Sequence, residues 1–372
     1  MALPESPFLS WPSRSSRPQL TSATLIPPQV KLAPARFIQG DNLEVLSCLA
    51  SDPDVQGQVS LAYLDPPFLT GREHFSSKNK DVAPTSLLRA KSRVAAFDDR
   101  FPSLSAYLDV LEPRLRATRA LLAPHGSMVL HVDPKTSHYA KVICDEIFGH
   151  EAFMSEVIWR YRRWPSKTKN FQRVHDVMLR YVRDPKSEPR WTQLYEPLAA
   201  STQAAWGTAR QRAVVSEQGQ RVRSSKTTEP SPGTPLGDVW EMSIVAPVAR
   251  ERTGYPTQKP EALLARWIEA LTAPGDLVLD PYVGSGTTLV AAVARGRRAI
   301  GIDQGLQARD VVRERLLRAG VEFVEQQAQG AARASIPGVR RARAVAFAQS
   351  ALDEMLPQTA ATPSLSKKAS SG

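Results

Sequence analysis

The run "VLDPYVGSGTTLVAAVARGRRAIGID", Val278 to Asp303, constrains the fold more than any other stretch. A short apolar strand ends at Asp280, and a loop carrying Gly284 and Gly286 follows. A helix begins near Thr287, and a second strand ends at Asp303. Two strands joined through a helix run parallel, because the helix returns the chain to its starting edge. The alternation recurs. Apolar runs bounded by turn residues lie at Val59–Leu64, Ser127–Val132, Leu277–Leu279 and Arg298–Ile302. Helical patterns lie between them at Tyr139–Ile147 and Gln307–Leu317, and on the face Leu263, Leu264, Trp267, Ile268 and Leu271 after Pro260. The expected class is α/β with a mainly parallel sheet.

Gly284 and Gly286 let the backbone approach a ligand with no Cβ in the way. An acid about 20 residues later, at the tip of the next strand, suits a ribose diol. A nucleoside triphosphate loop would need a lysine before the Ser/Thr, and Thr287 follows Gly286 directly. A dinucleotide loop would want Gly or Ala where Leu289 stands. Asp280 would repel a pyrophosphate but suits a cationic group. S-adenosylmethionine, with an ammonium, a sulfonium and a ribose diol, matches Asp280 and Asp303. A plain strand-to-helix turn is the alternative.

A second run, "YLDPPF" (Tyr63–Phe68), ends an apolar strand on a carboxylate locked beside two prolines. Alone it reads as a turn, since Asp-Pro commonly opens one. His131 and Asp133, at i and i+2, lack a third ligand nearby, so strand-end packing is expected there rather than a metal. Cys48 and Cys144 stand far apart and form no metal or disulfide spacing, so a reduced cytoplasmic setting is expected. No secretion signal or membrane span is read.

The net charge is +11, and its excess is local. From Val157 to Thr227 there are 15 Lys/Arg against 5 Asp/Glu, which points to a polyanionic partner. Residues 1–36 hold seven prolines and read as a disordered arm. Residues 184–238 break the strand–helix alternation and read as a basic insert. Residues 331–372 read as a basic, low-complexity tail, loosest from about Gln349. That leaves 37–183 and 239–330 as two halves of one domain.

The order of motifs carries a resemblance. "FIQGDNLEVL" (Phe37–Leu46), "LDPPF", "GSMVLHVD" (Gly126–Asp133), "DEIFG" (Asp145–Gly149), "EVIWRY" (Glu156–Tyr161), "GYPTQKPEALL" (Gly254–Leu264) and "DPYVGSGTT" (Asp280–Thr288) follow one another. Together they resemble the permuted, beta-group amino-methyltransferases of DNA, over roughly residues 37–305. The resemblance implies a seven-stranded, Rossmann-like sheet with one antiparallel strand. It also implies methyl transfer from S-adenosylmethionine to an exocyclic amine of double-stranded DNA. By position, Asp280, Pro281, Gly284, Ser285, Gly286 and Thr287 would form the cofactor loop, with Asp303 on the ribose. Thr257, Gln258, Lys259 and Pro260 would lie beside the methionine end. Asp41 would contact the cofactor's adenine, or else cap the helix over Leu43–Leu49.

An exocyclic amine is a poor nucleophile because its lone pair is delocalised into the ring. Asp65 and the Pro66 carbonyl would accept its two N–H groups, the prolines Pro66 and Pro67 would hold the turn, and Phe68 would stack on the flipped base. Methylation at cytosine carbon would need a cysteine after proline. Ser47 and Ile143 precede the two cysteines instead. Within the basic segment, Arg160, Arg162, Arg163, Lys167 and Lys169 are expected on DNA, among Trp159, Tyr161, Trp164, Phe171, Trp191 and Trp206. Core packing is the alternative for each aromatic. "FQRVHDVMLRYV" (Phe171–Val182) reads as a buried strand. Asp at the head of the catalytic motif resembles the adenine-N6 members of that family, whereas its cytosine-N4 members more often carry Ser there. Cytosine N4, an inactive DNA-binding homologue and an RNA substrate are the other readings, and any restriction endonuclease would be a separate chain.

Overall fold

The computed structural model describes residues 9–14, 24–25, 33–76, 94–163, 165, 167, 169–210, 213–223 and 229–329. All of these belong to one compact unit, Met1–Arg333. A second unit, Ala334–Gly372, lies outside the described residues, as do the whole of the expected tail, 331–372, and Trp164.

Ten strands make the main sheet: β1 (Thr24–Leu25), β2 (Ala35–Gln39), β3 (Val59–Leu64), β4 (Leu122–Val132), β5 (Phe153–Arg160), β6 (His175–Val182), β7 (Val239–Glu241), β8 (Leu277–Asp280), β9 (Arg298–Asp303) and β10 (Phe323–Gln329). Their spatial order is β1-β10-β2-β9-β8-β3-β4-β6-β5-β7. From β10 across to β4 every pairing is parallel. β6 runs antiparallel to both β4 and β5, and β7 is parallel to β5. The one antiparallel interior strand is as expected, but the sheet is three strands wider than seven. The additions sit at the margins: β10 and the two-residue β1 at one edge, the three-residue β7 at the other. Very short outer strands blunt an edge that would otherwise template pairing.

The helices are α1 (Asn42–Leu49), α2 (Leu104–Leu121), α3 (Ser137–Phe148), α4 (Ala200–Trp206), α5 (Glu261–Leu271), α6 (Thr287–Val293) and α7 (Leu306–Arg318). Leu46, Leu49, Leu111, Leu115 and Ile143 of α1–α3 pack on Ile38, Ala62, Leu64 and Leu130 on one face of the sheet. Leu264, Trp267, Leu289 and Val312 of α5–α7 pack on Phe37, Leu61, Tyr63 and Val129 on the other. β3 is covered on both faces and all six of its residues are buried, which is why its sequence shows no alternation.

Part of the proline-rich arm is fastened down rather than loose. The Leu9 amide donates to Glu146 at 2.7 Å, the Trp11 indole donates to Asp109 at 2.6 Å, and Arg14 pairs with Glu112 and Glu146. Ala35 and Arg36 already belong to β2, so ordered chain starts before Phe37. In the insert, one short ribbon pairs Tyr195–Glu196 with Thr234–Pro235, and another pairs Ala213–Val215 with Arg221–Arg223.

Candidate active site

Asp65 directly follows β3, Asp280 ends β8 and Asp303 ends β9, and these three strands are neighbours. Three carboxylates therefore meet at the carboxyl edge of a parallel sheet, where ligands bind in such folds. The permuted chain order brings Asp65 and Asp280 to adjacent strand ends by topology alone.

Asp65 is held asymmetrically. Its Oδ2 pairs with the Lys259 ammonium. Its Oδ1 is buried, has no hydrogen-bond donor among the described residues, and lies 3.9 Å from His131 Nδ1. Pro66 is buried and Phe68 half-buried. The Phe68 ring centroid is 5.5 Å from that of His131, and Lys259 Nζ sits 5.1 Å above the Phe68 ring. Beyond Phe68 the backbone turns through Leu69 at φ 56°, a costly conformation for leucine. Asp99, 1% exposed, secures it by accepting from the amides of Leu69 at 2.8 Å and Thr70 at 3.0 Å. Sequence reasoning missed Asp99. Nothing local marks it, because its partners lie about thirty residues away.

The glycine loop needs its glycines. Gly284 has φ +47° and Gly286 φ +77°; a Cβ would come 3.1 Å from the Tyr255 ring at the first and 3.0 Å from Val312 at the second. Asp303 ties the loop down, accepting from the Gly284 amide at 3.1 Å and the Gly305 amide at 2.7 Å. Asp280 accepts from the Tyr282 amide at 2.9 Å and from the Thr288 hydroxyl, so both its oxygens are engaged within the protein. Asn42 donates to the Pro281 carbonyl at 2.9 Å. Burial, more than any neighbour, pushes the Asp280 carboxyl up to about 7 and the Asp303 carboxyl up to about 6. Asp65 and Asp303 add repulsion at Asp280. A cluster of this kind favours a cationic ligand.

The segment Thr257–Pro260 touches both halves of the site. Thr257 takes φ 57°. Gln258 accepts from the Thr253 amide and hydroxyl, each at 2.9 Å, and donates to the Glu251 carbonyl at 2.6 Å. Pro260 stands at the N-cap of α5, and Glu251 accepts from the first helical amide, that of Glu261, at 2.9 Å. The Thr287 hydroxyl donates to the Lys259 carbonyl at 3.3 Å. Arg315 of α7, 7% exposed, donates to the Ser285 carbonyl at 3.0 Å and to Thr287 at 2.8 Å, and pairs with Glu261. Arg315 was also missed, being read only as part of a helical pattern. Lys259, expected beside a cofactor, has its ammonium on Asp65.

Asp41 does cap α1, accepting from the Leu43 amide at 2.9 Å and the Glu44 amide at 3.3 Å, and it pairs with Arg114 at 3.0 Å. Arg160, Arg162, Arg163, Lys167 and Lys169 are all exposed at the end of β5 and in the stretch after it, on the carboxyl side of the sheet. Arg160 pairs with Glu241, and Arg163 lies over the Tyr161 ring. Trp159 and Tyr161, grouped with the recognition aromatics from sequence, are instead core residues at 2% and 5% exposure, because the alternation of β5 turns Trp159 inward. Phe171 is the opposite case, 99% exposed and ahead of β6, which begins only at His175. Trp191 is half-exposed above Arg180.

Residues 59–314 match the family described as DNA methylase, N6_N4_Mtase. The chain belongs to the DNA methylases. Among relatives of this methylase, the type II methyltransferase M.EcaI of Enterobacter cloacae is 28% identical over 340 residues, covering 76% of this chain and 70% of that protein. The DNA adenine methyltransferase YhdJ of Escherichia coli K12 is 28% identical over 271 residues, covering 72% and 77%. The solved M1.HpyAVI–SAM complex aligns at 18% identity with a TM-score of 0.47, over 76% of this chain and 98% of that one.

The raised carboxyls of this methylase have a measurable consequence. An acid whose folded value is raised binds a proton that the unfolded chain has already released, so stability falls as pH rises between the two values. For Asp280 and Asp303 that window runs from the ordinary value near 3.8 to about 7 and about 6. The melting temperature of the empty protein is therefore expected to fall between pH 5 and pH 7.5, and Asp280→Asn should flatten the fall. An unchanged slope in that variant would refute the assignment.

Proposed function

We propose that this methylase transfers a methyl group from S-adenosylmethionine to the N6 amine of adenine in double-stranded DNA, acting on a base swung out of the stack. The observation that carries the reading is Asp65 Oδ1, a buried acceptor with no donor among the described residues, at the strand end that leads into the buried Pro66 and half-buried Phe68. When bound, the cofactor supplies a methyl group on a sulfonium. Asp280 and Asp303 fit its positive charges, Gly284 and Gly286 leave room for it, and Asp303 has the place for ribose hydroxyls. Thr257, Gln258, Lys259 and Pro260 would border the methionine end, and Asp41 the adenine.

Asp65 and the Pro66 carbonyl accept the two N–H groups of the target amine, which localises its lone pair and stabilises the charge that develops on nitrogen. Acceptors already fixed in a desolvated pocket need no reorganisation at the moment of reaction. Phe68 stacks on the base. The exposed cations Arg160, Arg162, Arg163, Lys167 and Lys169 lie on the same side of the sheet and suit the phosphate backbone. Adenine is favoured by the Asp that heads the catalytic run, and by relatives such as YhdJ that are named adenine methyltransferases. M.EcaI is named a type II methyltransferase. A restriction endonuclease, where one exists, would be a separate chain acting in the same cytoplasm.

The test is to incubate the full chain with labelled S-adenosylmethionine and mixed-sequence duplex DNA, then digest the product to nucleosides. Label in N6-methyladenine is the expected result. Label only in N4-methylcytosine would overturn the base. DNA binding without transfer would identify an inactive homologue, and preference for an RNA competitor would redirect the substrate.

A further inference from the structure

His131 is wholly buried in β4, an ionisable side chain on a strand whose neighbours are apolar. Its Nε2 lies 3.2 Å from Asp176 on β6, its Nδ1 lies 2.6 Å from the Tyr63 hydroxyl on β3, and Asp65 Oδ1 stands 3.9 Å from the same Nδ1. Trp159 packs edge-on against the ring at 5.7 Å, and Phe68 lies tilted against it at 5.5 Å. Tyr161 donates to the second Asp176 oxygen at 2.9 Å. The charged or titratable groups around the imidazole are thus Asp65, Asp176, Tyr63, Tyr161 and, through Asp65, Lys259.

These partners set the tautomer. Burial pushes the Asp176 carboxyl up, but hydrogen bonds from His131 and Tyr161, with the positive charge of Lys259, outweigh it and hold Asp176 below its ordinary value. An ionised carboxylate only accepts, so His131 Nε2 carries the proton towards it. Burial pushes the Tyr63 phenol well above its ordinary value, so it keeps its proton and donates to Nδ1. Nδ1 is then the unprotonated ring nitrogen, its lone pair engaged by the Tyr63 hydroxyl at 2.6 Å, with Asp65 Oδ1 3.9 Å away.

We propose that His131, backed by Asp176, is the proton acceptor behind Asp65, receiving the proton that the target amine loses on methylation. This rests on the methyltransfer reading above. As the N–C bond forms and the sulfonium S–C bond breaks, the amine nitrogen becomes cationic. One of its N–H bonds then breaks, with the electron pair staying on nitrogen. The proton passes to Asp65 Oδ1; the Tyr63 O–H swings off His131 Nδ1 to free its lone pair, and a rotation of the Asp65 carboxylate closes the 3.9 Å gap and delivers the proton there. The imidazolium is held by the Asp176 carboxylate, and the Tyr63 hydroxyl turns from donor to acceptor. Solvent recovers the proton when product leaves. Asp65 is thereby returned as an anion without shedding a proton into a closed pocket. His131 acts through Asp65 and touches no substrate, so it is a positioning and relay residue.

The experiment is single-turnover methylation of duplex DNA by the full chain from pH 5.5 to 9, with wild type, His131→Gln and Asp176→Asn. Glutamine keeps a donor for Asp176 but cannot take up a proton. The wild-type rate should fall as pH drops, because a relay acceptor that already holds a proton cannot take up another. His131→Gln should be slower by ~10²-fold at neutral pH, at the low end for a lost acid–base group, and should lack that acid limb. Asp176→Asn should move the midpoint of the limb down by about one pH unit, since the imidazolium loses its counter-charge. Carbon-13 histidine NMR of the empty protein should show the same downward movement, independently of activity. A His131→Gln rate within about threefold of wild type, with the acid limb intact, would overturn the relay. So would an unmoved midpoint in Asp176→Asn, which decides the matter if His131→Gln does not fold. Wild type that methylates no nucleic acid would instead overturn the methyltransfer reading.

Discussion

Replacing Asp65 with alanine is expected to lower methyl transfer by ~10³-fold or more while leaving DNA and cofactor binding within a few-fold of wild type. The variant removes a charged acceptor whose Oδ1 has no donor among the described residues, and the Pro66 carbonyl alone cannot localise the amine lone pair. It also strands the Lys259 ammonium, which is 10% exposed, beside Phe68. The fold should survive, because Asp65 lies past the end of β3 and none of the sheet's hydrogen bonds use its side chain. Methylation-sensitive sequencing of DNA from cells expressing each form, together with isothermal titration of the purified proteins, gives both readings. Unchanged methylation in Asp65→Ala would remove the residue from the chemistry.

The largest stability loss is expected for Trp267→Ala, about 3–5 kcal/mol in urea unfolding, the range found for truncating a buried aromatic. Trp267 is 2% exposed, its indole N–H faces Met178 Sδ at 3.2 Å on β6, and its ring lies 4.8 Å from that of Trp240 on β7. It therefore pins α5 across the antiparallel part of the sheet. The same helix begins at Pro260 and Glu261, next to Lys259, so the substitution should weaken cofactor binding as well. A cost below about 1 kcal/mol would mean that the core collapses around the gap rather than leaving a cavity.

Much of the site was legible in sequence because its parts are contiguous. An acid, two prolines and an aromatic ring in a row form one rigid turn, and two glycines between apolar strands form one close-approach loop. The α5 boundary was legible for a similar reason, since Pro260 and a regular apolar face both mark it. What escaped were groups that act across the fold. Lys259 and Asp65 are separated by 194 residues, and His131 and Asp176 by 45. No window of sequence holds either pair. His131 was read as strand-end packing, and it is indeed fully buried, but its role emerges only when β3 and β6 flank β4. The available signal was an ionisable residue at the active-face register of an apolar strand. For Trp159, where base stacking and core packing were both open in sequence, the alternation of β5 decides for the core.

The position of β3 bears on how the protein is made. On one side it pairs with β4, supplied by residues soon to follow, and on the other with β8, some two hundred residues later in the chain. A nascent chain leaving the ribosome would thus hold Val59–Leu64 with one bare edge until Leu277 arrives. All six of its residues are destined for burial, and such an edge invites pairing between polysomes. Rapid elongation through the insert, or a chaperone waiting at the tunnel, would shorten that exposure.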